Sequence, residues 1–173
     1  PVVVAEVRQR QGRVFTGHRI VPVFLPVELR GELHVRRGNI GESGGHVIGV
    51  TVDLFEHRGP VNPWVRERVH TPDLFERLRH LVHTADGFVA VAGSIGPLSE
   101  LFLVWTLVSV QGRAAAPIVL MGPQWHAWLA THRGPEFIPA RLHGFVQVAE
   151  TPELAADAVV AGIARARGPH GAP

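Results

Sequence analysis

From residue 44 onward the chain alternates short unbroken apolar runs with stretches of helical spacing. His46-Val47-Ile48-Gly49-Val50-Thr51-Val52 is rich in β-branched residues and predicts a buried strand. Gly59-Pro60 and Asn62-Pro63 are turn signals, so residues 53–70 are expected to form a long loop. Thr71-Pro72-Asp73 reads as a helix start, with Thr71 as the cap, Pro72 first in the helix and Asp73 near the positive dipole end. Leu74, Phe75, Leu78, Leu81 and Val82 recur at helical spacing and predict one buried face. Glu76, Arg79, His80 and His83 fall on the other side. Asp86-Gly87 then turns the chain into the apolar run 88–92.

The next helix, opened by Pro97 and expected over 97–110, breaks the pattern. Leu98, Leu101, Phe102, Leu103, Val104, Trp105, Leu107 and Val108 leave almost no polar face. A helix apolar all round is buried on both sides. In so small a domain this predicts the sheet on one side and a second copy of the chain on the other. Gln111-Gly112 supplies a C-terminal cap. A strand over 117–121, a short helix over 124–132, a strand over 145–148 and a last helix over 154–166 follow, the last capped by Thr151. Continuous apolar strands alternating with helices predict an α/β fold, a three-layer Rossmann-like parallel sheet with helices on both faces.

Residues 1–43 do not follow this alternation. Residues 1–5 read as a strand, whereas 21–27 are apolar but interrupted by Pro22 and Pro26. The expected organisation is a divergent N-terminal segment over 1–43, a nucleotide-binding domain over 44–167 and a flexible tail over 168–173.

Composition narrows the function classes. At 173 residues the chain is about one domain, long enough to bury a real core. With 46% hydrophobic and 18% charged residues it is globular. The 17 basic residues are all arginine, and they are scattered, with Arg36-Arg37 the one adjacent pair. That is not the striped footprint of a nucleic-acid binder. The absence of cysteine excludes disulfides and thiolate metal sites and fits a reducing, cytoplasmic setting. No run approaches the ~18 apolar residues of a membrane span. No signal peptide is recognisable, although a start at Pro1 leaves a processed or truncated beginning open. The 11 histidines show no H-E-x-x-H spacing, and no metal is expected. Ser94 and Ser99 lack the context of a nucleophile elbow. Trp105, Trp125 and Trp128 read as core or interface residues. Trp64 is either a base-stacking residue or a cover for its own loop.

The chemistry concentrates where the strand 88–92 meets the helix 97–110. Gly93-Ser94-Ile95-Gly96 is a small-residue loop opening into a helix that carries Glu100 in its first turns. Unpaired amides and the helix dipole make such a junction an anion site, for which phosphate is the usual ligand. Ligands of parallel α/β sheets bind outside the carboxyl ends of the strands, where this loop lies. A plain βα turn that needs glycine for its backbone angles remains the alternative.

The same residues resemble the LOG (Lonely Guy) family, known also as lysine decarboxylase-like and as Rossmann-fold nucleotide-binding proteins. Its signature P-G-G-x-G-T-x-x-E is met by Ala92-Gly93-Ser94-Ile95-Gly96-Pro97-Leu98-Ser99-Glu100, and the preceding A-D-x-F by Ala85-Asp86-Gly87-Phe88. The family's arginine–lysine pair, nine residues before that aspartate, falls on Arg77 and Leu78. Gly44 to Val50 resembles the family's G-G-x-V-I-G-V, and the likeness extends over about 44–160.

The resemblance implies a homodimer, paired here through the helix 97–110, that hydrolyses the N-glycosidic bond of a nucleoside 5′-monophosphate. It implies Arg77 and Glu100 as the functional pair, phosphate held by Gly93, Ser94, Ile95 and Gly96, and neither cofactor nor metal. The departures are Ala92 for proline, Ser94 for the second glycine and Pro97 for threonine. The family's N-terminal glycine-rich half is not recognisable in 1–43, where Gly38-Asn39-Ile40-Gly41 is a weak echo. A non-catalytic nucleotide or molybdenum-cofactor carrier therefore stands beside the hydrolase, and a degenerate copy beside both.

Overall fold

The computed structural model describes residues 2–7, 18–23, 46–52, 65–93, 95–110 and 116–167. The expected cap at Gly112, the glycine echo at 38–41, Trp64, Ser94 and the tail 168–173 lie outside the described residues. By their internal contacts the residues form two compact units, Pro1–Ala85 and Asp86–Pro173.

The first unit holds β1 (Val2–Val7), β2 (His18–Val23), β3 (His46–Val52), β4 (Glu67–Thr71) and the helix α1 (Leu74–Thr84), with strand order β4-β3-β1-β2. β3 and β4 are parallel, with Val50 level with Val69. β1 runs antiparallel to both its neighbours, pairing Val4 with Ile48 and Ala5 with Ile20. The N-terminal residues thus add two strands of opposite sense to a parallel pair. Residues 8–17 are too few for the dozen or more that a parallel crossover between β1 and β2 requires.

Three expectations in this unit are corrected. Residues 67–70 are not loop but most of β4, whose polar sequence Glu67-Arg68-Val69-His70 suits the edge of a sheet. Thr71 is not the cap of α1. It ends β4, and its hydroxyl donates to the Thr51 carbonyl across the parallel pair at 2.9 Å. The cap is Asp73, whose carboxylate accepts from the amides of Phe75 and Glu76 at 2.8 and 2.9 Å, so Pro72 precedes the helix and is not its first residue. Leu74 and Phe75 do not join the buried face, which consists of Arg77, Leu81 and Val82; they are 38% and 80% exposed.

The second unit is a repeated strand–helix pattern: β5 (Gly87–Val91), α2 (Ile95–Val110), β6 (Ile118–Met121), α3 (Gln124–His132), the one-turn α4 (Ala140–His143), β7 (Val146–Ala149) and α5 (Pro152–Arg167). β5, β6 and β7 are parallel neighbours in that order. Ile118, Val119 and Leu120 are all buried. Successive strand residues face opposite ways, so both faces of β6 are covered. α5 packs Ala155, Val159 and Ile163 at helical spacing, and contacts all three strands. A Cβ on Gly162 would lie 2.4 Å from the Pro117 ring, so glycine sets how close α5 comes to the start of β6. The Leu154 amide donates to the Thr151 hydroxyl at 3.3 Å, as the cap signal predicts. Parallel strands packed by helices make the chain an α/β protein whose N-terminal strands depart from the pattern.

Candidate functional site

β5 ends at Val91, and the chain passes through half-buried Ala92 and Gly93 into α2 at Ile95. Three of the expected loop residues are therefore described: Gly93 at the strand end, and Ile95 and Gly96 as the first two residues of the helix. Ile95 is 82% exposed and Gly96 is exposed as well. A Cβ built on Gly96 would meet no atom of the described residues within 4 Å. Gly122 is the positive-φ glycine among the described residues, so Gly96 has an ordinary backbone angle. Neither sterics among the described residues nor backbone conformation calls for glycine at 96. Its effect is to leave the amides of the first turn bare on their open side.

Pro97 is the third residue of α2. It costs the helix no internal bond there, but removes one of the four free N–H groups of the first turn. Glu100 follows in the second turn, half-buried, with its Oε2 shut away from water. Below it Leu101, Val104, Trp105 and Val108 form the buried face of α2. The Trp105 indole N–H donates to the Leu142 carbonyl at 2.9 Å, tying α2 to α4. The expectation that α2 is buried on both sides is not met within the chain. Ile95, Phe102 and Val110 are exposed, Phe102 at 39% and Val110 at 76%.

Arg77 belongs to the first unit, in the middle of α1, and is only 4% exposed. Its Nε donates to the Val50 carbonyl at 3.4 Å. Asp73 caps the helix that carries it, and the Thr71 hydroxyl bonds the strand ends of β4 and β3 beside it. Leu78, where the resembled family has lysine, is half-buried. Gly93, Ile95, Gly96 and Glu100 thus share one strand–helix junction in the second unit, and Arg77 is held in the core of the first.

The parallel register adds a neighbour that sequence reasoning missed. Val91 is level with Met121, so the turn after β6 emerges beside the Gly93 loop. That turn is Gly122-Pro123-Gln124-Trp125. Gly122 has φ 121° and donates its N–H to the Ala149 carbonyl at 2.8 Å. Gly122-Pro123 was legible as a strand stop, but which loop it adjoins depends on strand order. A cavity of ≈ 420 Å³ lined by Pro117, Ile118, Phe145, Val146 and Arg165 opens at the amino ends of β6 and β7, away from this junction. Among the described residues no three His, Asp or Glu side chains are grouped to hold a metal ion, and no helix is long and apolar enough to cross a membrane.

Known proteins bear on this geometry in two ways. The family described as "possible lysine decarboxylase" matches residues 34–159. Two relatives named cytokinin riboside 5′-monophosphate phosphoribohydrolase are similar to half of the chain. The one from Mycobacterium tuberculosis (strain ATCC 25618 / H37Rv) is 31% identical over 91 residues, 50% of this chain and 48% of its own length. The one from Mycobacterium marinum (strain ATCC BAA-535 / M) is 32% identical over 92 residues, 50% and 49% respectively. The matched part is therefore about half the length of these curated relatives. The family match covers most of the chain, including β3, the Arg77 helix and the Gly93–Glu100 junction, and the chain belongs to the possible lysine decarboxylase family, to which the LOG proteins resembled by its motif also belong.

Proposed function

We propose that this chain binds a nucleoside 5′-monophosphate and hydrolyses its N-glycosidic bond, giving free base and ribose 5-phosphate. The observation that carries the reading is the open start of α2, where Gly96 is exposed although nothing among the described residues requires glycine there. The names of the two mycobacterial relatives point to the same reaction, and to an N6-modified adenine as one base to be tried.

In this reading the amides of Gly93, Ser94, Ile95 and Gly96 hold the phosphate at the positive end of α2. Glycosidic cleavage builds positive charge on the sugar as the C1′–N bond breaks. The Glu100 carboxylate stabilises that charge and takes a proton from the attacking water. That proton passes to the departing base nitrogen, and the water oxygen ends on C1′. Arg77 supplies a fixed guanidinium for the phosphate or for orienting the carboxylate. A carboxylate and amide donors suffice for this chemistry without metal or cofactor. The protein is further proposed to be a cytoplasmic homodimer that covers the outward apolar face of α2.

The test is base release, followed by chromatography, across a panel of 5′-monophosphates, beside calorimetric binding of AMP and adenosine. AMP should bind more tightly than adenosine, because the phosphate meets the helix. Equal affinities would contradict the phosphate site. Binding of a monophosphate without release of its base would instead favour the carrier reading, to which Ala92, Ser94 and Pro97 already lend weight as departures from the signature.

A further inference from the structure

We propose that Gln124 is a substrate-binding residue of this site, and that its side-chain amide holds the ribose hydroxyls of the bound nucleotide. The proposal rests on the phosphate being held at Gly93 and Gly96.

Three observations lead to it. First, β5 and β6 are parallel and in register, so the turn after Met121 emerges at the same sheet end as the Gly93 loop, one strand spacing of ~4.8 Å away. The sugar is the group attached to the phosphate, and one strand spacing is the reach it needs. Second, the Gln124 amide is not thrown out into solvent. Its Nε2 and Oε1 both lie 2.5 Å from where a Cβ of Gly122 would stand. Gly122, with φ 121°, therefore provides a notch that only glycine can provide, and the amide is folded back over it at the strand end. The residue is exposed, and its amide makes no hydrogen bond among the described residues. Third, the next residue, Trp125, is 3% exposed, and its indole N–H has no acceptor among the described residues. Buried donors without partners are rare in native interiors. Its backbone closes the turn that adjoins the Gly93 loop, and its ring packs edge-on against Trp128.

The chemistry of an amide suits the task. Gln124 offers a donor and an acceptor side by side, and each ribose hydroxyl can both donate and accept. Holding the sugar ring from one side while the phosphate is held from the other fixes the orientation of C1′, the carbon at which the bond breaks.

The experiment uses the full chain and its Gln124→Ala variant, with calorimetric binding of AMP, 2′,3′-dideoxy-AMP and inorganic phosphate. Loss of the amide should weaken AMP binding about 5- to 10-fold. Binding of the dideoxy nucleotide and of phosphate should change by less than about 2-fold. The thermal midpoint should not move, because the residue is exposed. An AMP affinity equal to wild type overturns the proposal. So does an equal loss for AMP and its dideoxy analogue, which would assign Gln124 to the base or to the loop as a whole. A wild-type protein that binds neither AMP nor phosphate refutes the phosphate site itself, and this proposal with it. A wild type that binds both, with an unaffected variant, refutes this proposal alone.

Discussion

Helices α1 and α2 each follow a parallel strand and each carries one residue of the resembled signature, yet only α1 buries a charge among its apolar residues. α1 buries a charge, Arg77, and leaves Phe75 in water. α2 has a single charged side chain, Glu100, and leaves Ile95, Phe102 and Val110 in water while burying Leu101, Val104, Trp105 and Val108. Position in the helical stripe, rather than residue type, decides what goes inside. Arg77 lies four residues before Leu81, on the side of α1 that packs against β3 and β4, so it is buried despite its charge. A helix lying on a sheet can offer only one side to it, so α2 cannot bury its whole circumference within one chain. The exposed side of α1 is mixed, with Leu74 and Phe75 beside the Glu76–Arg79 ion pair. The surplus on α2 is apolar and invites a partner.

The largest effect expected breaks the comparison at its chemical end. Glu100→Gln should lower base release about a thousandfold while leaving AMP binding near wild type, because the amide keeps the shape but takes no proton. Base release by chromatography and calorimetry read the two quantities separately. Undiminished turnover would remove Glu100 from the mechanism.

Arg77 sharpens the contrast next. Arg77→Ala removes a buried side chain that bonds the Val50 carbonyl, and should cost about 3 kcal/mol of stability. Arg77→Met keeps the volume and should recover most of that loss, since a well-packed apolar side chain often replaces a buried ion without penalty. Thermal melts of the two variants measure this. If Arg77 also meets the ligand, the methionine variant should fold well yet bind AMP poorly. Wild-type affinity in that variant would make the arginine a core residue only.

A smaller effect is expected on the outer face of α2. Val110→Asp places a charge at a site 76% exposed, which a monomer tolerates and an apolar interface does not. The dimer dissociation constant should rise about tenfold or more, seen by light scattering across a dilution series. A wild type that stays monomeric at micromolar concentration would end the dimer proposal.

The smallest effect tests the start of α1. Asp73→Ala should cost about 1 kcal/mol, as loss of a cap does, and lower the melting midpoint by a few degrees. Thr71→Val would remove the hydroxyl bond to Thr51 instead, and should leave the helix cap intact. If the threonine variant frayed the helix and the aspartate variant did not, the cap would belong to Thr71 after all.

Much of the fold was legible in local pattern. The strand His46–Val52 and the helix Gln124–His132 lie where apolar runs and turn residues put them, and Thr151 caps the last helix. β4 was not legible, because an edge strand of Glu67, Arg68 and His70 has no apolar alternation and exists through pairing with β3. The cap of α1 was misassigned because Thr71 and Asp73 both have capping side chains. Strand pairing commits the Thr71 hydroxyl to Thr51, and the next acceptor takes the helix amides. The short turn Ala140–His143 had no signal of its own.

By itself the sequence determined that this is an α/β protein with a glycine loop leading from a strand into an apolar helix that carries Glu100. Hydrophobic periodicity, caps and turn residues are local, and a chain read in order contains them. Tertiary structure alone decided that Arg77 is buried, that α2 shows a bare apolar face, that β1 runs antiparallel to its neighbours, and that Gln124 stands beside the Gly93 loop. Each of these depends on which strand lies next to which, and in what register. Residues 30 apart, such as Val91 and Met121, become neighbours only when the sheet forms.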